Sequence, residues 1–131
     1  MNLTKFSRDR MMLTASHFQV PRDYFDPLYN HLVHAYPPGS FWTAVLSNDF
    51  MRAVQSSHPG NTMDALKHTV GWIQARFPAQ SYGSVRQVQT WQDLTGHERR
   101  IILESADLIY SEQDEVMMAL KGTKTHESVL Y

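Results

Sequence analysis

Apolar residues recur at helical spacing along most of the chain, and no stretch alternates as a half-buried strand would. Met11, Met12 and Ala15 near one face predict a first helix over Ser7 to Ser16. Val20-Pro21 ends it, because the residue before proline disfavours the α conformation. A second helical segment runs from about Pro21 to Ala35. Leu28, Leu32 and Tyr36 give it a stripe that Tyr29 and Val33 widen. Asp26-Pro27 within it has the form of an N-cap followed by proline at the first helical position. The segment therefore reads either as one helix or as two pieces, the longer beginning at Pro27. Pro37-Pro38-Gly39 makes a turn, and Ser40 is expected to cap a helix reaching Gln55. Phe41, Ala44, Val45, Leu46, Phe50, Ala53 and Val54 cover most of that helix, which predicts a central position packed on several sides.

Ser56 to Gly60 reads as a loop. Asn61 or Thr62 then caps a helix to about Arg76, with Met63, Leu66, Val70, Ile73 and Phe77 as a core stripe. Gly71 inside it marks an expected close helix crossing. Ser84 caps a short helix carrying Val85, Val88 and either Trp91 or Leu94. Thr95-Gly96-His97-Glu98 fits a capping box and opens a helix bearing Ile102, Ala106 and Ile109. A last helix starts at Ser111 to Asp114 and ends at Gly122, a suitable C′ residue. The expectation is an all-α fold, a compact single-domain bundle of five to seven helices over residues 1–122. A flexible tail is expected over 123–131.

Composition narrows the function more by exclusion than by assignment. A chain of 131 residues suits one domain with a real core. The absence of cysteine removes disulfides, thiolate metal sites and a cysteine nucleophile. No apolar run approaches the length of a membrane span, and the start lacks the apolar region of a secretory signal. No membrane association is expected. A formal net charge of −1 argues against a general nucleic-acid binder. The charge is nevertheless uneven. Lys5, Arg8 and Arg10 cluster near the start, while Glu104, Asp107, Glu112, Asp114 and Glu115 fall in a stretch without Lys or Arg. That acidic stretch reads as a solvated face, or as a surface for a protein partner.

Candidate chemistry is sparse. His31 and His34 at i, i+3 can share a helix face, but a metal needs further ligands that no spacing supplies. No metal, cofactor or catalytic residue is expected, since no HExxH, Walker A, GxGxxG or GxSxG pattern occurs. Asn48 and Asp49 interrupt the most apolar helix and need partners if buried. They bond a neighbouring helix terminus or loop, or they form a polar pocket with Ser40, Thr43 and Ser47. Gly39-Ser40 and Gly83-Ser84 precede helices and are either caps or anion-binding starts. Trp42, Trp72, Trp91, Tyr82 and Tyr110 are core aromatics, or stacking platforms beside Arg52, Arg76 and Arg86.

One block carries a resemblance. Pro38-Gly39-Ser40-Phe41 is followed by Thr43-Ala44-Val45-Leu46-Ser47-Asn48-Asp49, and later by Tyr82-Gly83-Ser84, Val88 and Trp91. In that order the segments resemble a family of small tailed-bacteriophage proteins, over roughly Pro21 to Leu94. Trp42 stands where the family has leucine, and Ser56-Ser57-His58-Pro59 departs from its small residue and acid. The family offers no catalytic residues to carry over. The resemblance implies a non-enzymatic phage product in the cytoplasm of an infected bacterium. It would bind and inhibit or redirect a host or antiviral-defence protein. The alternatives are a protein that sequesters a small molecule such as a nucleotide signal, and a nucleic-acid-binding accessory protein. A homo-oligomer is compatible with each.

Overall fold

The core is built around the second helix, because its apolar residues repeat on two adjacent faces. Phe25, Leu28, Tyr29, Leu32 and Val33 are all buried there. The computed structural model describes residues 1–130, with side chains through Lys121. The tail expected over 123–131 falls where side chains, and all of Tyr131, lie outside the described residues. The elements are α1 (Lys5–His17), α2 (Arg22–His34), α3 (Ser40–Leu46), α4 (Phe50–Ser56), α5 (Met63–Arg76), a 3₁₀ turn (Ala79–Ser81), α6 (Val85–Asp93), α7 (Gly96–Ser105) and α8 (Glu112–Leu130). The described residues contain no strand, so the all-α expectation holds. They form one domain, with eight α-helices rather than five to seven.

The additional helix comes from the block that sequence spacing predicts as one central helix. Asn48 adopts the left-handed conformation (φ 59°), which stops α3. Asp49 then caps α4, its carboxylate accepting from the Arg52 amide at 3.2 Å. Asparagine tolerates left-handed backbone and aspartate favours the N-cap, so the pair works as a stop followed by a start. The break turns α4 outward. Trp42, Ala44 and Leu46 of α3 are buried, whereas α4 buries only Ala53. The centre of the fold is therefore α2, not the Ser40–Gln55 segment.

Other boundaries also shift. α2 is one helix with Pro27 inside it. Pro27 is its sixth residue and leaves the Asp23 carbonyl without the usual helical N–H partner. Gly39 at φ 92° is the N-cap of α3, so Ser40 is its first residue rather than its cap. Thr62, Ser84 and the Thr95–Glu98 capping box behave as expected. α7 stops at Ser105, with Asp107 left-handed, and α8 continues through Gly122. At the expected crossing beside Gly71, the Phe18 ring lies against α5 at ordinary contact distance.

Buried polar bonds fasten the ends of the chain. The C-terminal carbonyls of α2 are taken by side chains: Trp91 Nε1 donates to His31 at 3.1 Å and Arg99 Nε to Val33 at 3.1 Å. Glu115 is buried in the first turns of α8. It accepts from the Thr4 amide and hydroxyl, from the Ser7 hydroxyl and from Arg100. Ser7 in turn accepts from the Tyr110 amide at 3.1 Å. One carboxylate thus ties α1, α7 and α8 together.

Candidate functional site: an open apolar groove

Because α4 leans away from the core, it does not close over α5. Phe41, Val45, Phe50 and Val54 form one wall of a groove, and Leu66 and Val70 form the other. Its volume is about 720 Å³. The surrounding surface is unusually apolar: Phe50 is 75% exposed, Met51 78% and Met63 64%. Exposed apolar side chains gathered beside a groove are a feature of interaction and ligand sites. The volume lies within the range of small-molecule pockets, but the groove is open along its length.

The stripe expected to form the core face of α5 is split by this geometry. Ile73 and Phe77 are buried, Leu66 and Val70 are half-buried, and Met63 is exposed. The helix turns Thr69 and Trp72 inward instead. Trp72 Nε1 finds the Thr14 hydroxyl at 3.1 Å, and Thr69 donates to the Ala65 carbonyl at 2.7 Å, so both polar groups are satisfied.

The residues expected to form a polar pocket are only partly brought together. Asn48, Asp49 and Gly83 line one end of the groove. Asn48 is exposed and Asp49 half-buried, so neither is the buried polar group that the sequence suggests. Ser40 lies on a separate cavity of about 880 Å³, beside Tyr24, Trp42 and His58. Thr43 and Ser84 line neither cavity. Gly83 binds the groove end to α6, its amide donating to the Leu46 carbonyl at 2.7 Å. Its φ of 121° requires glycine, and the Gln87 amide group fills the space a side chain would occupy. Ser84 caps α6 by accepting from the Gln87 amide. This Gly-Ser start is a cap already in use.

Polar groups at the groove are few. Lys67 is the cation on its wall, and Asp49 faces Arg52 at 3.7 Å. The acidic residues of the C-terminal stretch lie elsewhere and are not one free surface. Arg100 gathers three of them, with Glu104 at 3.0 Å, Glu112 at 3.5 Å and the buried Glu115. Asp107 pairs with Arg10 at 3.5 Å. Asp114 is exposed. Burial pushes the Glu115 carboxyl upward, but the bonds from Thr4, Arg100 and Ser7 together outweigh it and hold it below its ordinary value. Glu115 is a structural tie, with no face to offer a partner.

Most of the aromatic and several of the basic candidates are absorbed by the fold, whereas Lys5, Arg52 and Arg86 are exposed. Trp72 and Trp91 are fully buried and present no stacking face, while Trp42, 7% exposed, shows only an edge to the cavity beside Ser40. Arg8 pairs with Asp26 at 2.9 Å and lies over the Tyr29 ring. Arg10 lies over Tyr110, and Arg76 donates to the Asp107 carbonyl. The two histidines diverge in role. His31 is fully buried and its Nε2 meets the Ser81 carbonyl at 2.9 Å, while His34 stacks on Tyr36. Burial lowers the pKa of His31, and the Nδ1 atom has no hydrogen-bond partner. Among the described residues no three His, Asp or Glu side chains converge as a metal site. No described helix is long and apolar enough to cross a membrane.

Comparison with known proteins finds no matching family model, no similar curated protein and no similar solved structure. The groove is therefore read from its own chemistry. Sequence spacing identifies its apolar residues but assigns them to the core. The available signal for the opening was Asn48-Asp49, a left-handed residue followed by an N-cap.

Proposed function

We propose that the protein is a non-enzymatic interaction protein of tailed-phage origin that binds a host or antiviral-defence protein and inhibits or redirects it. The observation that carries this reading is the groove between α3–α4 and α5, with Phe50, Met51 and Met63 uncovered beside it. Apolar walls of this shape suit an amphipathic helix, which would anchor residues at i, i+3, i+4 and i+7. Lys67 on the wall favours a carboxylate flanking that apolar face. The phage origin rests on the resemblance of the block from Pro38 to Asp49 and the later Tyr82-Gly83-Ser84 segment, and it implies a role in the cytoplasm of an infected cell.

The test is capture from a lysate of an infected bacterium by tagged protein, beside a Phe50→Asp variant. One stoichiometric protein retained by the wild type and lost from the variant supports the reading. Equal capture by both removes the groove from it. A second reading, a small-molecule binder, draws on the groove's volume of about 720 Å³. Native mass spectrometry of protein purified from infected cells tests it through any retained mass. A nucleic-acid-binding role has less to draw on, since the expected stacking tryptophans are buried.

A further inference from the structure

The cavity beside Ser40 differs in chemistry from the groove. It lies between the starts of α2 and α3 and the loop that follows α4, and no Val, Leu, Ile or Met lines it. Aromatic rings and polar side chains do. The Trp42 ring meets Tyr24 at 5.0 Å and 67°, and Phe41 at 4.9 Å and 71°. The Tyr24 hydroxyl donates to Asn61 Oδ1 at 2.6 Å, and Asn61 Nδ2 donates to Ser57 Oγ at 3.1 Å. These contacts fix the wall without a ligand.

The Trp42 indole N–H is the exception among the three tryptophans. Trp72 and Trp91 each donate to a protein acceptor at 3.1 Å. Trp42 Nε1 has no hydrogen-bond partner among the described residues, although the residue is 7% exposed. Nor is the N–H sealed inside the protein. The enclosed side-chain atoms without partners are His31 Nδ1 and Ser47 Oγ. The opening that Trp42 lines is this cavity. A largely buried donor is costly without an acceptor, so the site calls for a ligand that brings one.

The remaining polar groups narrow the ligand. Asp23, Ser40, Ser56 and His58 line the cavity, and their side chains make no hydrogen bond or ion pair among the described residues. No Lys or Arg lines it among the described residues. A phosphate there would meet the Asp23 carboxylate with no cation beside it, which disfavours a nucleotide. A ligand hydroxyl, by contrast, can donate to that carboxylate and also accept. We propose that this cavity binds an uncharged ring compound bearing hydroxyl groups, either a saccharide or a nucleoside. An acceptor of the ligand takes the Trp42 N–H, a hydroxyl donates to Asp23, and the half-buried rings of Tyr24 and Phe41 cover its apolar face. The site is separate from the groove, so the inference stands or falls without the proposed function.

Nitrogen-15 NMR of the labelled full chain tests this, because each tryptophan indole N–H gives its own signal. The probes are glucose, galactose, uridine and adenosine at millimolar concentration, with glucose 6-phosphate and uridine monophosphate as charged counterparts. At least one neutral probe should move the Trp42 indole signal saturably. The Trp72 and Trp91 signals, held by Thr14 and His31, should stay in place. Saturation by the sugars alone assigns a saccharide site, and saturation by the nucleosides a nucleoside site. The charged counterpart of the best probe should bind more weakly. Trp42→Phe keeps an aromatic ring and removes the donor, and should weaken binding about tenfold, read from the Gly39 and Gly60 backbone signals. Asp23→Asn, at an exposed position, should weaken it about threefold with an unchanged fold, and it carries the test if Trp42→Phe does not fold. A Trp42 signal that no neutral probe moves would overturn the inference. So would a charged probe that binds more tightly than its neutral parent, or undiminished binding in a folded variant.

Discussion

The two sides of the bundle are held by different means. Where α1, α2, α6, α7 and the start of α8 meet, buried polar groups join residues far apart in the chain: Thr4 and Ser7 to Glu115, Arg99 to Val33, Trp91 to His31. On the α3–α4–α5 side most side-chain bonds are local, among them the caps from Asp49 to the Arg52 amide and from Thr62 to the Ala65 amide. That side leaves Phe50, Met51, Val54 and Met63 open. Long-range polar bonds fix one arrangement, whereas an uncovered apolar wall is free to take a partner. Local stability is generally lowest where few buried contacts are made, and binding surfaces draw on such regions.

Large-to-small substitution should break the two sides unequally. Trp91→Ala removes a fully buried ring and the bond to the His31 carbonyl, and should cost about 4 kcal/mol. Phe50→Ser on the exposed groove wall should change stability by less than about 0.5 kcal/mol. Urea unfolding of dilute protein measures both, and similar losses at the two sites would dissolve the distinction.

The ion-pair tie should come next. Glu115→Gln leaves Arg100 buried with weaker partners and should cost about 3 kcal/mol. Asp49→Ala, which removes only the α4 cap, should cost about 1 kcal/mol. The Glu115 carboxyl titrates below its ordinary value of 4.5 in the fold. Its contribution is therefore present above pH 4.5 and is lost as pH falls through the folded value. Glu115→Gln should flatten the acid limb of the stability curve, and an unchanged limb would show that other carboxylates govern it.

Helices were more legible in the sequence than the way they end. The caps at Thr62, Ser84 and Thr95 follow from side-chain chemistry that the sequence displays. Four turns instead use non-glycine residues at positive φ: Gln19, Ala35, Asn48 and Asp107. No glycine marks them, and Gln19, Asn48 and Asp107 are exposed, so residue type gives only the weaker preference of Asn and Asp for left-handed backbone. Missing the turn at Asn48 merged α3 with α4 and placed their apolar residues in the core. The groove was hidden for that reason, although the apolar residues of its walls were named. Glu115 was legible as an acid but not as a buried tie, because its partners lie more than a hundred positions away at Thr4 and Ser7.

Titration should separate the sides more gently at mildly acid pH. His31 is buried in the closed side, and burial sets its folded pKa below the ordinary 6.5. The unfolded chain then takes up the proton first as pH falls. Stability should be full above pH 6.5 and decline below it, by no more than about 1.4 kcal/mol per pH unit for one proton. His34, lowered by its partial burial, contributes in the same window. His31→Gln keeps an amide donor for the Ser81 carbonyl and removes the titration. Urea midpoints at pH 7.5 and 5.5 should differ less in that variant than in the wild type, and an equal difference would assign the effect to other groups.

The smallest effects should lie in the left-handed turns, one on each side. Ala35 ends α2 with φ 56° and ψ 31°, a conformation that costs an L-residue with a plain Cβ about 1 kcal/mol. Ala35→Gly should recover most of it. Asn48 holds φ 59° between α3 and α4, but asparagine relieves that cost through its own side chain. Asn48→Gly should therefore change stability by less than about 0.5 kcal/mol. It should also loosen the hinge that sets the tilt of α4. Hydrogen exchange of α4 amides reads that loosening directly: faster exchange at nearly unchanged global stability is expected. Unchanged exchange would mean that the Asp49 cap and the Gly83–Leu46 bond fix the groove without help from the residue between them.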